Sequence, residues 1–125
     1  MKNILLIFSL ISFSFYSQNN TLKLLSGEYI LENNIDKLNE NAYADLDIFD
    51  NKYYAIIQFS SVPDNNTKKL IARNGITLLS YLPEKTYFTS FPFNTPISAI
   101  KNIPNIIGLH GVLPEYKIHP KLSNN

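Results

Sequence analysis

The order in which patterned segments follow one another from Tyr53 to Ile118 constrains this chain most: strand, helix, strand, strand, helix, strand. The first strand, Tyr53 to Phe59, is the clearest. Tyr53, Ala55, Ile57 and Phe59 fall on one face and Tyr54, Ile56 and Gln58 on the other, the two-residue period of a strand. Ser61, Pro63 and Asp64 then read as a helix start. Ser61 supplies the cap, Pro63 tolerates the first turn and Asp64 faces the positive end of the dipole. Leu70 and Ile71 supply the buried stripe, and Asn74-Gly75 ends the helix because Gly accepts the left-handed conformation needed there.

Ile76 to Tyr81 and Thr86 to Phe91 flank Leu82-Pro83-Glu84-Lys85 and predict a hairpin with Pro83 in its loop. Thr95-Pro96 opens a second helix as cap and first position. Ile97 and Ile100 share a face, and Asn102 and Pro104 stop it. Ile106 to Val112 is the last strand. Two strand–helix–strand crossovers in this order predict an α+β, ferredoxin-like βαββαβ domain, a four-stranded antiparallel sheet with two helices on one face. Gln58 lies with Tyr54 and Ile56, so theirs is expected to be the open face, apolar enough to mark an interaction site.

The N-terminus reads as an export signal. Met1-Lys2-Asn3 is a short basic start, Ile4 to Phe15 is apolar but for Ser, and Ser17 precedes a polar stretch. Cleavage after Ser17 and after Ser14 both fit; a buried helix or an uncleaved anchor is the competing reading. The apolar run is short for a membrane span. The expected organisation is a signal peptide at 1–17, an N-terminal arm and linker at 18–51, the sheet domain at 52–114 and an extended or mobile tail at 115–125. Within the arm, Leu22, Leu24, Leu25, Tyr29, Ile30 and Leu31 form one short strand or pack as an arm, and Asp45 to Asp50 reads as the linker. The expected location is secreted or periplasmic.

The chain carries 11 Lys+Arg against 10 Asp+Glu, a formal charge of +1, and loss of 1–17 removes only Lys2, leaving 0. A neutral chain has no electrostatic pull on nucleic acid or on an anionic membrane, and neither is expected as a partner. RNA-recognition modules share this order of elements and stack bases on third-strand aromatics, here Lys85 to Phe91, but their glycine pattern is missing. With no Cys, neither disulfide nor thiolate chemistry is open. His110 and His119 lack further ligands at zinc spacing. Asp45, Asp47 and Asp50 lose the spacing of a calcium loop after the second carboxylate. Glu84 and Glu115 have no paired carboxylate, no Ser sits in a G-x-S-x-G context, and Gly75, Gly108 and Gly111 are too scattered to cradle phosphate. No catalytic, cofactor or metal residue is expected, and a binding role is favoured over an enzyme acting alone.

Lys52-Tyr53-Tyr54-Ala55-Ile56-Ile57-Gln58-Phe59 resembles the opening strand of the N-terminal prodomains of secreted bacterial subtilisin-type (S8) serine proteases, the fervidolysin-like, inhibitor I9-like group. The likeness continues through Asn74 to Pro83, Thr86-Tyr87-Phe88, Ile103 to Gly108 and the exit Pro114 to Ile118, covering about residues 52–122. It implies an intramolecular chaperone and temporary inhibitor whose open sheet face packs on two surface helices of the protease catalytic domain. Tyr54, Ile56 and Gln58 would then sit near the docking face, and Tyr116, Lys117, Ile118 and His119 would lead toward the cleft, where an extended tail adds strand-like hydrogen bonds. Such binding would lower a folding barrier set by non-local contacts. The likeness covers none of that family's catalytic domain, so no protease activity is expected of these residues. The chain is expected to be a truncated or split precursor, a remnant, or a freestanding module acting in trans. The alternative is an exported ferredoxin-like binding or adaptor domain unrelated to proteolysis.

Overall fold

The computed structural model describes residues 20–117. The expected signal peptide, Ile118 and His119 lie outside the described residues. Nine regular elements follow one another: β1 (Asn20–Leu24), β2 (Gly27–Leu31), β3 (Asp47–Phe49), β4 (Lys52–Phe59), α1 (Asn65–Arg73), β5 (Thr77–Leu82), β6 (Thr86–Pro92), α2 (Ile97–Lys101) and β7 (Ile106–His110), with short 3-10 turns at Ile35–Lys37, Glu40–Tyr43 and Pro114–Lys117. The chain is α+β, with antiparallel sheets and two helices.

The main sheet has five strands, not the four expected. β5 pairs with β6 and β6 with β4. The far edge of β4 is shared, because β3 takes Lys52, Tyr53 and Tyr54 while β7 takes Ile56 to Phe59. The segment expected to be a linker, Asp45 to Asp50, is therefore corrected to an edge strand and its turn. Phe49 pairs with Lys52 across a two-residue loop, in which Asp50 (φ 52°) and Asn51 (φ 59°) both adopt the left-handed conformation. Two such residues make a tight hairpin turn whose twist matches the strands, and Asp and Asn tolerate it better than most residues.

The alternation of β4 is as expected. Tyr53, Ala55, Ile57 and Phe59 join Tyr87 and Phe91 of β6, Leu109 of β7, Ile71 of α1 and Ile100 of α2 in the main core, so both helices cover one face. α1 starts later than expected. Asp64 rather than Ser61 is its N-cap, with the carboxylate accepting from the Thr67 N–H at 2.8 Å. Its end is as expected: Gly75 takes φ 79°, and the Asn74 amide donates to the Leu70 carbonyl. At α2 the N-cap is Pro96, not Thr95, and it makes no side-chain cap.

The arm is also corrected. Leu22 to Leu31 form two strands rather than one, the hairpin β1–β2 with Leu24 opposite Gly27, and they do so as a packed arm. This two-stranded sheet shares no ladder with the main one. It lies over the second face of β4, where Leu22 and Leu31 bury against Ile56. Asn34 then fastens the chain to β7: its amide donates to the Leu109 carbonyl at 2.8 Å, and its Oδ1 accepts the Leu109 N–H at 2.9 Å.

Candidate interaction face

Tyr54, Ile56 and Gln58 do share the face opposite the helices, but that face is not open along its length. Ile56 is buried beneath the hairpin and Gln58 is fully buried as well, against His110, which corrects the expected open docking surface at both. The physical reason is the arm itself. Leu22, Leu24, Tyr29 and Leu31 recur on one side of β1 and β2, and that side must be covered. Tyr54 lies beyond the hairpin's reach, is partly exposed, and stacks on Phe88 of β6 with ring centroids 5.9 Å apart at 28°.

Under the hairpin sits a polar pair. His110 Nε2 is 3.0 Å from Gln58 Oε1. Gly108 makes room for it, since a Cβ there would lie 2.8 Å from both atoms. Burial pushes the His110 pKa below its ordinary 6.5, against the opposing pull of a hydrogen bond to the Glu32 backbone and of the Glu32 charge. Gln58 Nε2 is buried with no partner among the described residues. This is a tightly packed anchor rather than a site open to substrate.

Beside the hairpin the uncovered part of the face forms an apolar groove of three connected recesses. The first, about 350 Å³, lies between Asp47, Phe49, Tyr54, Phe88 and Val112. Phe88 and Val112 also wall the second, about 250 Å³, with Leu24, Ile56, Ser80, Leu82 and Tyr116. Leu24, Leu82 and Tyr116 continue into the third, about 470 Å³, with Lys23, Leu25 and Pro83. Lys23 bridges to Glu84 at 3.1 Å across its rim, an exposed pair of small energetic weight.

The expected cleft-directed tail is partly placed. Pro114–Lys117 is a 3-10 turn, not an extended segment. It returns Tyr116 onto the hairpin, where its ring meets Tyr29 edge-on at 4.5 Å and its carbonyl lies 3.4 Å from the Ser26 hydroxyl that donates to it. Lys117 belongs to the same turn. Tyr54 and Tyr116 are therefore brought to one groove, Ile56 forms part of its floor, and Gln58 is not among its walls. The groove residues not singled out from sequence are Leu24, Phe49, Leu82, Phe88 and Val112. Alternation alone places Phe88 on the opposite face from Tyr87, whereas Phe49 ends a strand of three residues, too short for a period to show.

Among the described residues no group of three or more His, Cys, Asp or Glu side chains is placed to hold a metal ion, and no helix is long and apolar enough to cross a membrane.

A tRNA (guanine(37)-N(1))-methyltransferase of Candida albicans (strain WO-1) is 35% identical to this chain over 66 residues, which is 53% of the chain and 14% of the enzyme. The chain thus spans about one seventh of that relative. No solved structure matches the chain. One family model takes in the hairpin, the sheet and both helices together, matching residues 17–113. On that match the chain belongs to the family described as Domain of unknown function (DUF8729).

Proposed function

We propose that the protein is a non-catalytic protein-binding module, an exported, prodomain-like unit whose partner is the catalytic domain of a subtilisin-type serine protease. The single observation that supports a binding role is the connected apolar groove from Phe49 to Leu25, floored by the sheet and walled by Tyr54, Phe88, Leu82, Val112 and Tyr116. A continuous apolar surface of this kind on a small protein is characteristic of a contact site. The protease as occupant comes from the resemblance carried by Lys52 to Phe59 and the segments after it. The strand order β7-β4-β6-β5 with two helices on one face supports reading this part as a ferredoxin-like unit, extended by β3 at an edge and by the hairpin on a face. In this reading the partner's surface helices meet the groove beside the hairpin, and not the buried Ile56 and Gln58.

Titrating the protein into a subtilisin-type protease while following cleavage of a small peptide substrate tests the reading. Slowed cleavage at micromolar protein is expected, with Phe88→Asp and Val112→Asp each weakening it by on the order of tenfold or more, because a charge would be buried in an apolar contact. Undiminished cleavage at those concentrations would sink the protease reading. Inhibition unaffected by both substitutions would move the contact away from the groove.

A further inference from the structure

The sheet treats its two edges differently. On the β7 side the Asn34 amide occupies the Leu109 N–H and carbonyl as a neighbouring strand residue would. β3, on the same side, is only three residues long and begins with Asp47. Shortness, charge and covering segments are the usual ways of blunting an edge. On the opposite side β5 ends the sheet and, among the described residues, pairs only with β6. Its six residues, Thr77–Leu82, include no charge and no proline; Pro83 and Lys85 come only after its end. Leu79 and Tyr81 are exposed there at 45% and 54%. The register shift between Leu78 and Ser80 leaves Ser80–Leu82 as a regular run opposite Phe88, Tyr87 and Thr86.

We propose that the outer edge of β5 is the docking site for a second copy of this chain, paired antiparallel about a two-fold axis at Tyr81. A row of outward backbone N–H and carbonyl groups is satisfied by an extended strand, and an antiparallel two-fold lets one strand serve as its own complement. Opposed residues in such a pairing must share a face, and this register meets that requirement. Ser80 opposes Leu82 of the second copy on the groove side, and the two Tyr81 rings oppose each other on the helix side, where Tyr81 already meets Tyr87 edge-on at 5.2 Å. An uncharged strand facing itself brings no like charges together. The assembly would join two sheets into one and cover Tyr81 and Leu79. The proposal does not rest on the protease reading, although Ser80 and Leu82 belong both to this edge and to the groove wall.

Light scattering after size exclusion on the full chain, over a range of concentrations, gives the first readout: a species of twice 14.3 kDa at high micromolar protein. Tyr81→Lys, which sets two lysines opposite each other, and Leu79→Lys, which puts a charge into the contact opposite Pro83 of the second copy, each checked for an unchanged circular dichroism spectrum, should weaken the dimer by on the order of tenfold or more. The chain contains no cysteine, so Tyr81→Cys introduces a single thiol on the axis. Mild oxidation should link that variant into a covalent dimer, while Phe93→Cys, equally exposed but on a different surface, should remain uncrosslinked. A monomer at every concentration overturns the proposal. So does a dimer that survives both lysine substitutions, or one in which Phe93→Cys crosslinks as readily as Tyr81→Cys.

Discussion

Gly108 decides how closely the hairpin seats on the sheet. It lies opposite Gln58 in the β4–β7 ladder, and an added Cβ would fall 2.8 Å from both Gln58 Oε1 and His110 Nε2 and 3.3 Å from the Glu32 carbonyl. The carbonyl is backbone, and the two side-chain atoms are hydrogen-bond partners of each other in a partly buried setting, so none of the three moves freely. Gly108→Ala should therefore cost about 1–3 kcal/mol, the usual penalty for overpacking, seen as a lower urea midpoint with an unchanged slope. An unaltered midpoint would mean that the pair rearranges without cost. Gly75 is constrained differently: its φ of 79° is the obstacle, with Pro92 Cδ at an ordinary 3.4 Å. Gly75→Ala should cost about 1–2 kcal/mol through the left-handed backbone alone.

The hairpin β1–β2 is the element with the most independent behaviour. It has its own ladder and meets the main sheet through side chains, chiefly Leu22 and Leu31 on Ile56. Leu22 is completely buried in that interface, and Leu22→Ala truncates it there. The substitution should raise the hairpin's local opening by about 2–5 kcal/mol, up to the point at which the hairpin is simply detached. Hydrogen exchange should then show lost protection across Tyr29 to Leu31 while Ala55 to Ile57 in β4 stay protected. Equal loss in both would make hairpin and sheet one cooperative unit. This dependence on distant packing also explains which elements the sequence discloses. The alternation of Tyr53 to Phe59, the Asn74-Gly75 helix end and the loop at Pro83 are local signals, and each was readable. The first turn has a local signal in Ser26-Gly27, where Gly27 takes φ 146°, but without clean alternation on either side it does not announce a hairpin, and Asp50-Asn51 lacks the usual glycine. Nothing local states that Leu22 and Leu31 will cover Ile56. Tyr54, Ile56 and Gln58 share the face opposite the helices as alternation predicts, but that face is covered at Ile56 and Gln58 rather than open.

At the scale of the molecule, three perturbed groups among the described residues shape stability against pH. The His110 pKa is depressed by burial below 6.5, so below that value the unfolded chain binds the proton first. The stability contribution is present above about pH 6.5 and is lost as pH falls through the folded-state pKa, at no more than about 1.4 kcal/mol per pH unit for one proton. Asp64, held below its ordinary 3.8 by the Thr67 N–H, adds a further loss at lower pH. On the alkaline side the Tyr43 hydroxyl is buried without a partner among the described residues; its pKa is pushed from 10.0 up to about 12, by burial first and the neighbouring Tyr53 second. The folded state then holds the proton more tightly, so stability is intact below pH 10 and falls as pH rises through 12. A plateau between pH 6.5 and 10 is expected, with a shoulder on each side. Denaturant midpoints measured across pH test this, and variants assign the limbs. His110→Gln should flatten the decline immediately below pH 6.5 while leaving the alkaline limb unchanged, and Tyr43→Phe should do the reverse. An acid limb that persists unchanged in His110→Gln would place the titrating group elsewhere and remove the argument that protonation beneath the hairpin governs how the fold responds to acid.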